Sequence, residues 1–399
     1  MKILVINSGS SSIKFQLVDK QDLSPVVDGI LERIGTKYSQ CRYFLYNEES
    51  GIHEKIEDPR LINSHTEGFK LLIDFLHNRM FINDTTNLAA IGHRVVHGGE
   101  RFKQSVLITE SVIDAIRENI PLAPEHNPAN LAGIEICRET FPSIPQVAVF
   151  DTAFHQTIPT KAFRYPLPES LYEDHKIRRY GFHGTSHHYV AHCAARVLSK
   201  PISQLNLITL HLGNGASAAA IQGGRCVDTS MGMTPLEGLM MATRSGDIDP
   251  AIIFYLARNT GLDLDEIDTL LNRKSGLSGI CGSNDMREIQ QRANQGDKLA
   301  KLAIEMYCYR IKKYIGAYFA ILGRLDGLIF TAGVGENSPT VRLQVCQGLE
   351  NLGICIDPEK NSVAINSSTE IQANASPVKI MVIPTDEETE IVRQTLACI

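Results

Sequence analysis

The chain has 399 residues, 43% of them hydrophobic and 21% charged, enough for a sizeable core and, by length, for two or three domains. A net charge of −6 gives no general attraction to nucleic acid or an anionic membrane, while local cationic pockets for small anions stay possible. Nine cysteines without a C-x-x-C spacing fit free thiols better than a disulfide framework or a zinc site, the opening "MKILVINSGS" has an apolar run too short for a signal-peptide core, and no apolar stretch reaches the ~18 residues of a membrane span; the expectation is a cytoplasmic protein.

Strand-length apolar runs alternate with helical segments, the pattern of an α/β protein. Strands are expected at 3–6, 146–150, 207–212, 327–330 and 380–383. Ser64-x-x-Glu67, Thr234-x-x-Glu237 and Thr385-x-x-Glu388 have the form of capping boxes. Asn127 before Pro128, and Ser338 before Pro339, place a capping side chain ahead of proline at the first helical position. Residues 298–322 read as one long helix, with apolar Leu302, Met306, Ile311 and Ile315 near helical spacing. The strand, Gly/Ser turn and strand of "ILVINSGSSSIKFQLV" return about 200 residues later in "LITLHLGNGASAAAIQGGRCV", which suggests a duplicated domain with a ligand cleft between the halves.

In open α/β sheets ligands collect beyond the carboxyl ends of the strands. Five of the expected strands deliver small, amide or acidic residues there: Asn7, Asp151, Gly213 to Gly215, Gly333 to Asn337, and Asp386 with Glu387. The turn after Asn7 lacks the P-loop signature, and a phosphate cradle or a polar hairpin fits it. Asp151 either orients a metal or nucleophile, or caps the next turn. "HLGNGAS" at 211–217 serves an anion or a hairpin equally, whereas "TAGVGEN" at 331–337 opens a helix and offers unpaired amides without being a dinucleotide fingerprint.

Glu387 lies in a first helical turn, where an acid is stabilising in any case; with Asp151 nearby it would suit Mg²⁺, which favours one or two carboxylates plus phosphate oxygens. His93 with His97, and His183 with His187, have H-x-x-x-H spacing but no H-E-x-x-H, which argues against a zinc centre. His126 and His183 precede expected helix starts, positions suited to anions. Arg94 and Arg244 stand among glycine and small residues and fit a bidentate clamp for carboxylate and phosphate.

The longer motifs are "NSGSSSIKF" (7–15), "GHRVVHGG" (92–99), "VFDTAFH" (149–155), "RRYGFHGTSHHYV" (178–190), "HLGNGAS", "DTSMGMTPLEGLMMATRSGDIDP" (228–250), "FTAGVGEN" (330–337) and "IPTDEE" (383–388). In that order, from end to end of the chain, they resemble the acetokinase family. The resemblance implies the fold of the acetate and sugar kinase, Hsp70 and actin superfamily: two duplicated βββαβαβα domains flanking an active-site cleft. The first would be 1–150 joined by the C-terminal helix 385–399. The second would be 151–384, with the nucleotide site and a dimer interface. The implied reaction is reversible, Mg²⁺-dependent phosphoryl transfer from ATP to acetate, giving acetyl phosphate and ADP. Mn²⁺ would serve in place of Mg²⁺, the enzyme would be a homodimer, and neither nucleic acid nor membrane is implied as a partner.

By position, the resemblance implies a catalytic set of Asn7, Arg94, His126, Asp151, His183 and Arg244. Arg94, Val96, Phe182 and Pro235 would receive the substrate, the last three as a small apolar pocket. Ser10, Ser12 and Lys14 match one phosphate-facing loop, and His211, Leu212, Gly213, Asn214 and Gly215 the other. Asp285, Met286 and Arg287, with Gly333, Val334, Gly335, Glu336 and Asn337, match the adenosine pocket. Asn7, Asp151 and Glu387 match the metal-associated positions. Two positions depart from the family pattern. Glu125 replaces an apolar residue in "LAPEHNP", where a charge facing a methyl pocket would be costly. Asp386 replaces the asparagine of "TNEE". A propionate or other short-chain acyl kinase is the near alternative, and an actin- or Hsp70-like ATPase acting through protein binding the distant one.

Overall fold

The computed structural model describes every residue except 10, 48–50, 83–86 and 366. Their packing divides into two compact units, Met1–Gln156 with Asp386–Ile399, and Thr157–Thr385.

In the first unit eight strands are described: β1 (Lys2–Ser8), β2 (Ser12–Asp19), β3 (Pro25–Glu32), β4 (Gln40–Asn47), β5 (Gly51–Asp58), β6 (Leu88–Val95), β7 (Val106–Leu107) and β8 (Gln146–Phe150). They lie in the order β5-β4-β3-β2-β1-β6-β8-β7. β1 to β5 form an antiparallel meander, and β6 and β8 run parallel to β1. A strand covered on both faces must be apolar throughout rather than alternating, and β1 shows why. Ile3 and Val5 pack with Val147, Val149, Ile391 and Val392, while Leu4 and Ile6 join Ile13, Phe15, Phe69 and Leu72. Each such buried aliphatic contributes roughly 1.5–3 kcal/mol. Ile391 and Val392 come from the helix Glu387–Leu396, which closes this unit from the far end of the chain. Its close approach requires Gly92: a Cβ there would lie 2.3 Å from Thr395 Oγ1 and 2.8 Å from Ile391 Cγ2.

The second unit repeats the plan with β9 (Asn206–Leu212), β10 (Ala216–Gln222), β11 (Arg225–Thr229), β12 (Gly327–Thr331), β13 (Thr369–Glu370) and β14 (Lys379–Val382), ordered β11-β10-β9-β12-β14-β13. As in β3-β2-β1-β6-β8-β7, three antiparallel strands are followed by two parallel ones and a short antiparallel edge. The echo in the sequence is thus a repeat of topology. All five expected strands form within two residues of the expected limits.

The helix Lys298–Leu322 also forms, capped by Asp297, whose carboxylate accepts from the Leu299 and Ala300 amides, and ended by left-handed Gly323. Its buried stripe differs from the expected one. Ala300, Ala303, Ile304, Tyr307, Cys308, Ile311 and Ile315 face inward, so the expected Ile311 and Ile315 hold while Leu302 is exposed.

Three expected caps are corrected. Thr234 starts no helix; Glu237 instead accepts from Arg179 and the Tyr165 hydroxyl. The C-terminal helix is capped by Asp386, whose carboxylate accepts from the Thr389 amide at 2.8 Å, not by Thr385. Asn127 sits inside its helix, Asn127–Thr140, and its buried amide donates to the carbonyls of His97 and Ile116. Ser64 and Ser338 cap as expected, accepting from Glu67 and Val341.

Candidate functional site

Each unit gathers its own set of polar groups. In the first, parallel pairing of β1 with β6 sets Asn7 beside Arg94, and antiparallel pairing of β1 with β2 sets Lys14 opposite Asn7. Asp151 follows β8, its amide donating to the Val95 carbonyl at 3.0 Å. Arg94 Nη1 donates to Asn7 Oδ1 at 3.0 Å, and its Nη2 donates to the buried Asp151 carboxylate. Among the described residues the buried Arg94 Nε has no hydrogen-bond acceptor, the Glu387 carboxylate standing 3.9 Å away.

Two carboxylates therefore face one guanidinium. Burial pushes the Glu387 carboxyl up to about 7, against the pull of Arg94 and with the added repulsion of Asp151 and Glu388. A buried carboxylate and a half-buried one sharing a single guanidinium beside an amide form a donor set that suits Mg²⁺.

The segment after β6 is held by two buried asparagines of the helix Asn127–Thr140. Asn130 accepts from the Val96 amide and donates to the Ser8 carbonyl, while Asn127 accepts from the His97 amide. Val96 is buried. His126 occupies the N-cap position of that helix, and Glu125 is exposed. Ser12 opens β2. Ser10 lies outside the described residues.

In the second unit His183 adopts a left-handed conformation (φ 57°) at the start of the helix Gly184–Val197. Its Nδ1 is 2.9 Å from Ser217 Oγ, and its ring stacks on His211 with centroids 4.1 Å apart. His211 Nδ1 is 2.8 Å from Ser186 Oγ. Gly215 is the point where catalytic candidates meet: a Cβ there would lie 3.3 Å from both Arg244 Nη1 and His183 Cε1, and 3.4 Å from His183 Nε2.

Arg244 belongs to the long segment between β11 and the helix Ala251–Asn259, which has no regular structure and is pinned by side chains instead. Arg179 Nη1 donates to the carbonyls of Thr229, Ser230 and Met231, and Glu237 receives Arg179 Nη2 at 2.5 Å. Asp247 accepts from the Gly238 amide and the Tyr314 hydroxyl. Pro235 lies in the same segment, and Phe182 is buried just before His183.

A cleft of about 690 Å³ in this unit is lined by Gly213, Asn214, Asp285, Met286, Arg287, Gly333, Val334 and Asn337, all expected, and by Ala242, Leu277, Asn284, Gln290 and Ser338, which were not. That size suits a nucleotide-sized ligand. Asp285 caps the helix Met286–Asn294 and grips Arg287, whose hydrogen bonds draw its carboxyl down to about 2. His211, Leu212, Gly215, Gly335 and Glu336 do not line the cleft. Glu336 turns back to accept from the Ala332 and Thr385 amides, and so holds the turn after β12.

The sequence reading passed over Thr209, Ser217 and Arg179, and it took His187 only as part of a metal-type spacing and Glu237 only as part of a capping box. Thr209, Ser217 and His187 were within reach of spacing arguments. Thr209 and His211 share a face of β9, Ser217 is His211's cross-strand partner, and His187 is one helical turn from His183.

A duplicated sheet of this topology, with an arginine and a histidine meeting beside a glycine turn and a nucleotide-sized cleft in the same unit, fits a phosphotransferase of the actin-like ATPase fold. A profile of the acetokinase family matches residues 2–393, and the chain belongs to that family. It is 55% identical to the acetate kinase of Syntrophobacter fumaroxidans, spanning 100% of this chain and 97% of that one. It is 52% identical to the acetate kinase of Streptomyces coelicolor, with the same coverage. Among solved structures, a propionate kinase from Francisella tularensis superposes with a TM-score of 0.92 at 46% identity over the whole of both chains. Porphyromonas gingivalis acetate kinase gives 0.92 at 44% identity over 99% of each. The chain is accordingly an enzyme that transfers phosphoryl groups to a carboxylate. No described helix is long and apolar enough to cross a membrane.

Proposed function

We propose that the chain transfers the γ-phosphoryl group of ATP to acetate, reversibly and directly, with Mg²⁺ as the metal. The observation that carries this reading is the pairing of half-buried Arg94 with Asp151, Asn7 and Glu387 in a member of the acetokinase family. Acetate is already ionised at neutral pH, so its oxygen attacks without a strong general base. What the protein must do is align anions and neutralise charge spread over the transferring group.

In this reading Arg94 and Arg244 hold the carboxylate and the transferring phosphoryl. His183 donates to an equatorial phosphoryl oxygen, and Asn7, Ser12, Lys14 and Asn214 orient the phosphates. Asp151, Glu387 and Asn7 would hold the metal, which when bound neutralises phosphate charge. Val96, Phe182 and Pro235 take the methyl group, and His126 assists at the substrate. Adenosine occupies the cleft of Asp285, Met286, Gly333 and Asn337. The exposed side chains Ile252, Phe254 and Tyr255 support a homodimer formed through the second unit, which sedimentation of Phe254→Asp would test.

Hydroxylamine trapping of acyl phosphate with Mg·ATP and matched acetate, propionate and butyrate tests the reaction. Acetate is expected to react best, in keeping with the exposed position of Glu125. The likeness to a propionate kinase favours the second reading, a longer acid on the same machinery, and a propionate preference would establish it. ATP hydrolysis with no acyl phosphate from any acid would overturn both.

A further inference from the structure

We propose that Thr209, His187 and Ser217 form a one-way hydrogen-bond relay that holds His183 neutral, with its proton on Nε2. The inference rests on the reading of His183 as the group that meets the transferring phosphoryl, and it states how His183 is made a donor.

Four groups lie in sequence. Thr209 Oγ1 is 2.7 Å from His187 Nδ1, His187 Nε2 is 2.8 Å from Ser217 Oγ, and Ser217 Oγ is 2.9 Å from His183 Nδ1. Thr209 and Ser217 are completely buried, and among the described residues their hydroxyls meet only these ring nitrogens, so both hydroxyl protons must be placed on them.

The Thr209 hydroxyl decides the direction. Among the described residues its one acceptor is His187 Nδ1. If His187 carried a proton on Nδ1, as the other tautomer or as imidazolium, the Thr209 proton would be buried without an acceptor, a loss of ~1–3 kcal/mol. Thr209 therefore donates to His187 Nδ1, which places the His187 proton on Nε2, donating to Ser217 Oγ. Ser217 Oγ keeps a second lone pair, but its own buried proton has, among the described residues, no acceptor besides the two ring nitrogens; with His187 Nε2 protonated, that acceptor is His183 Nδ1. His183 Nδ1 is thereby an acceptor, and the ring's single proton resides on Nε2. That atom lies 3.4 Å from where a Cβ on Gly215 would stand, and Arg244 Nη1 lies 3.3 Å from the same point.

The consequence is chemical. His183 enters the reaction as a preset neutral donor toward a phosphoryl oxygen and has no lone pair there with which to act as a base. Ser217, His187 and Thr209 are positioning residues: they touch His183 or one another, not the substrate. Second, His183 stacks on His211, so a fixed ring plane accompanies the fixed tautomer.

The test uses the full-length enzyme with ¹⁵N-labelled histidine, assigned through His183→Gln and His187→Gln. At pH 7.5 the ¹⁵N shifts of His183 and His187 should each report a protonated Nε2 and an unprotonated Nδ1. A protonated Nδ1 on either ring, or averaged tautomers, overturns the relay whatever the activity. In kinetics, Ser217→Ala and Thr209→Val should lower kcat about tenfold with KM for ATP and acetate nearly unchanged, and Thr209→Ser should restore most of the rate. Wild-type kcat in both variants, or a loss confined to KM, also overturns it. If the unmodified enzyme forms no acyl phosphate, the reading of the reaction fails, while the ¹⁵N result still judges the relay by itself.

Discussion

Arg94 illustrates how much one side chain carries. Its fork meets Asn7 and Asp151 at once, and its Nε faces Glu387 at 3.9 Å. Lysine offers a point charge that cannot span the first two groups. Arg94→Lys is expected to lower acyl phosphate formation by about 100-fold or more, with the fold retained, as initial rates and circular dichroism would show. Gly215→Ala is the matching change in the second unit. Its φ is ordinary, so the backbone tolerates alanine, but the new methyl meets Arg244 and His183 at 3.3 Å. The expected outcome is an unchanged melting temperature and a kcat reduced by roughly tenfold or more. Arg94 and Arg244 stood out in the sequence because of their glycine-rich surroundings. Which groups they face could not be read there, since Asp151 is 57 residues from Arg94 and Glu387 is 293 residues away.

Between residues and units stand the elements, and two of them owe their position to tight contact. The helix Glu387–Leu396 brings Glu387 toward Arg94 because Gly92 lets it settle on β6. Gly92→Ala should cost about 1–3 kcal/mol through overpacking, seen as a lower urea midpoint, and should weaken Mg²⁺ dependence of the rate by displacing Glu387. The segment carrying Arg244 depends on an ion pair instead. Glu237→Ala would strip Arg179 of its close carboxylate partner in a mostly buried place, and a loss of about 3 kcal/mol in unfolding titrations is expected. Here the sequence misled for a clear reason: Thr234-x-x-Glu237 has the letters of a capping box, and capping motifs are local. A half-buried arginine from 58 residues away competes for the same carboxylate and wins.

For the molecule as a whole, pH reaches stability through His93. It lies in the sheet core with Nε2 2.8 Å from Gln146 Oε1, and burial pushes its pKa down to about 4 from an ordinary 6.5. Between those values the unfolded chain binds a proton that the folded chain refuses. Stability from this group is thus complete above about 6.5 and lost as pH falls toward 4, by up to about 3 kcal/mol. Glu387, whose pKa is raised, acts in the opposite sense between about 4.5 and 7. Comparing wild type with His93→Gln separates the two. Urea midpoints measured from pH 7.5 to 4.5 should fall less steeply in the variant, and parallel curves would show that His93 contributes nothing.

The sequence by itself determined the α/β class, all five expected strands and the long helix, because those follow from short-range periodicity and from caps such as Asp297 and Ser338. It also determined the family, because long motifs recur in order along the chain with only isolated departures such as Asp386. Only the tertiary structure decided which side chains share a hydrogen-bond network. Thr209, His187, Ser217 and His183 come from two strands and a helix, and the direction of their proton chain depends on burial, which no local pattern records. It likewise decided that Glu336 turns inward and that Asp386, not Thr385, caps the last helix, since each of these side chains had several local partners on offer and packing selected one.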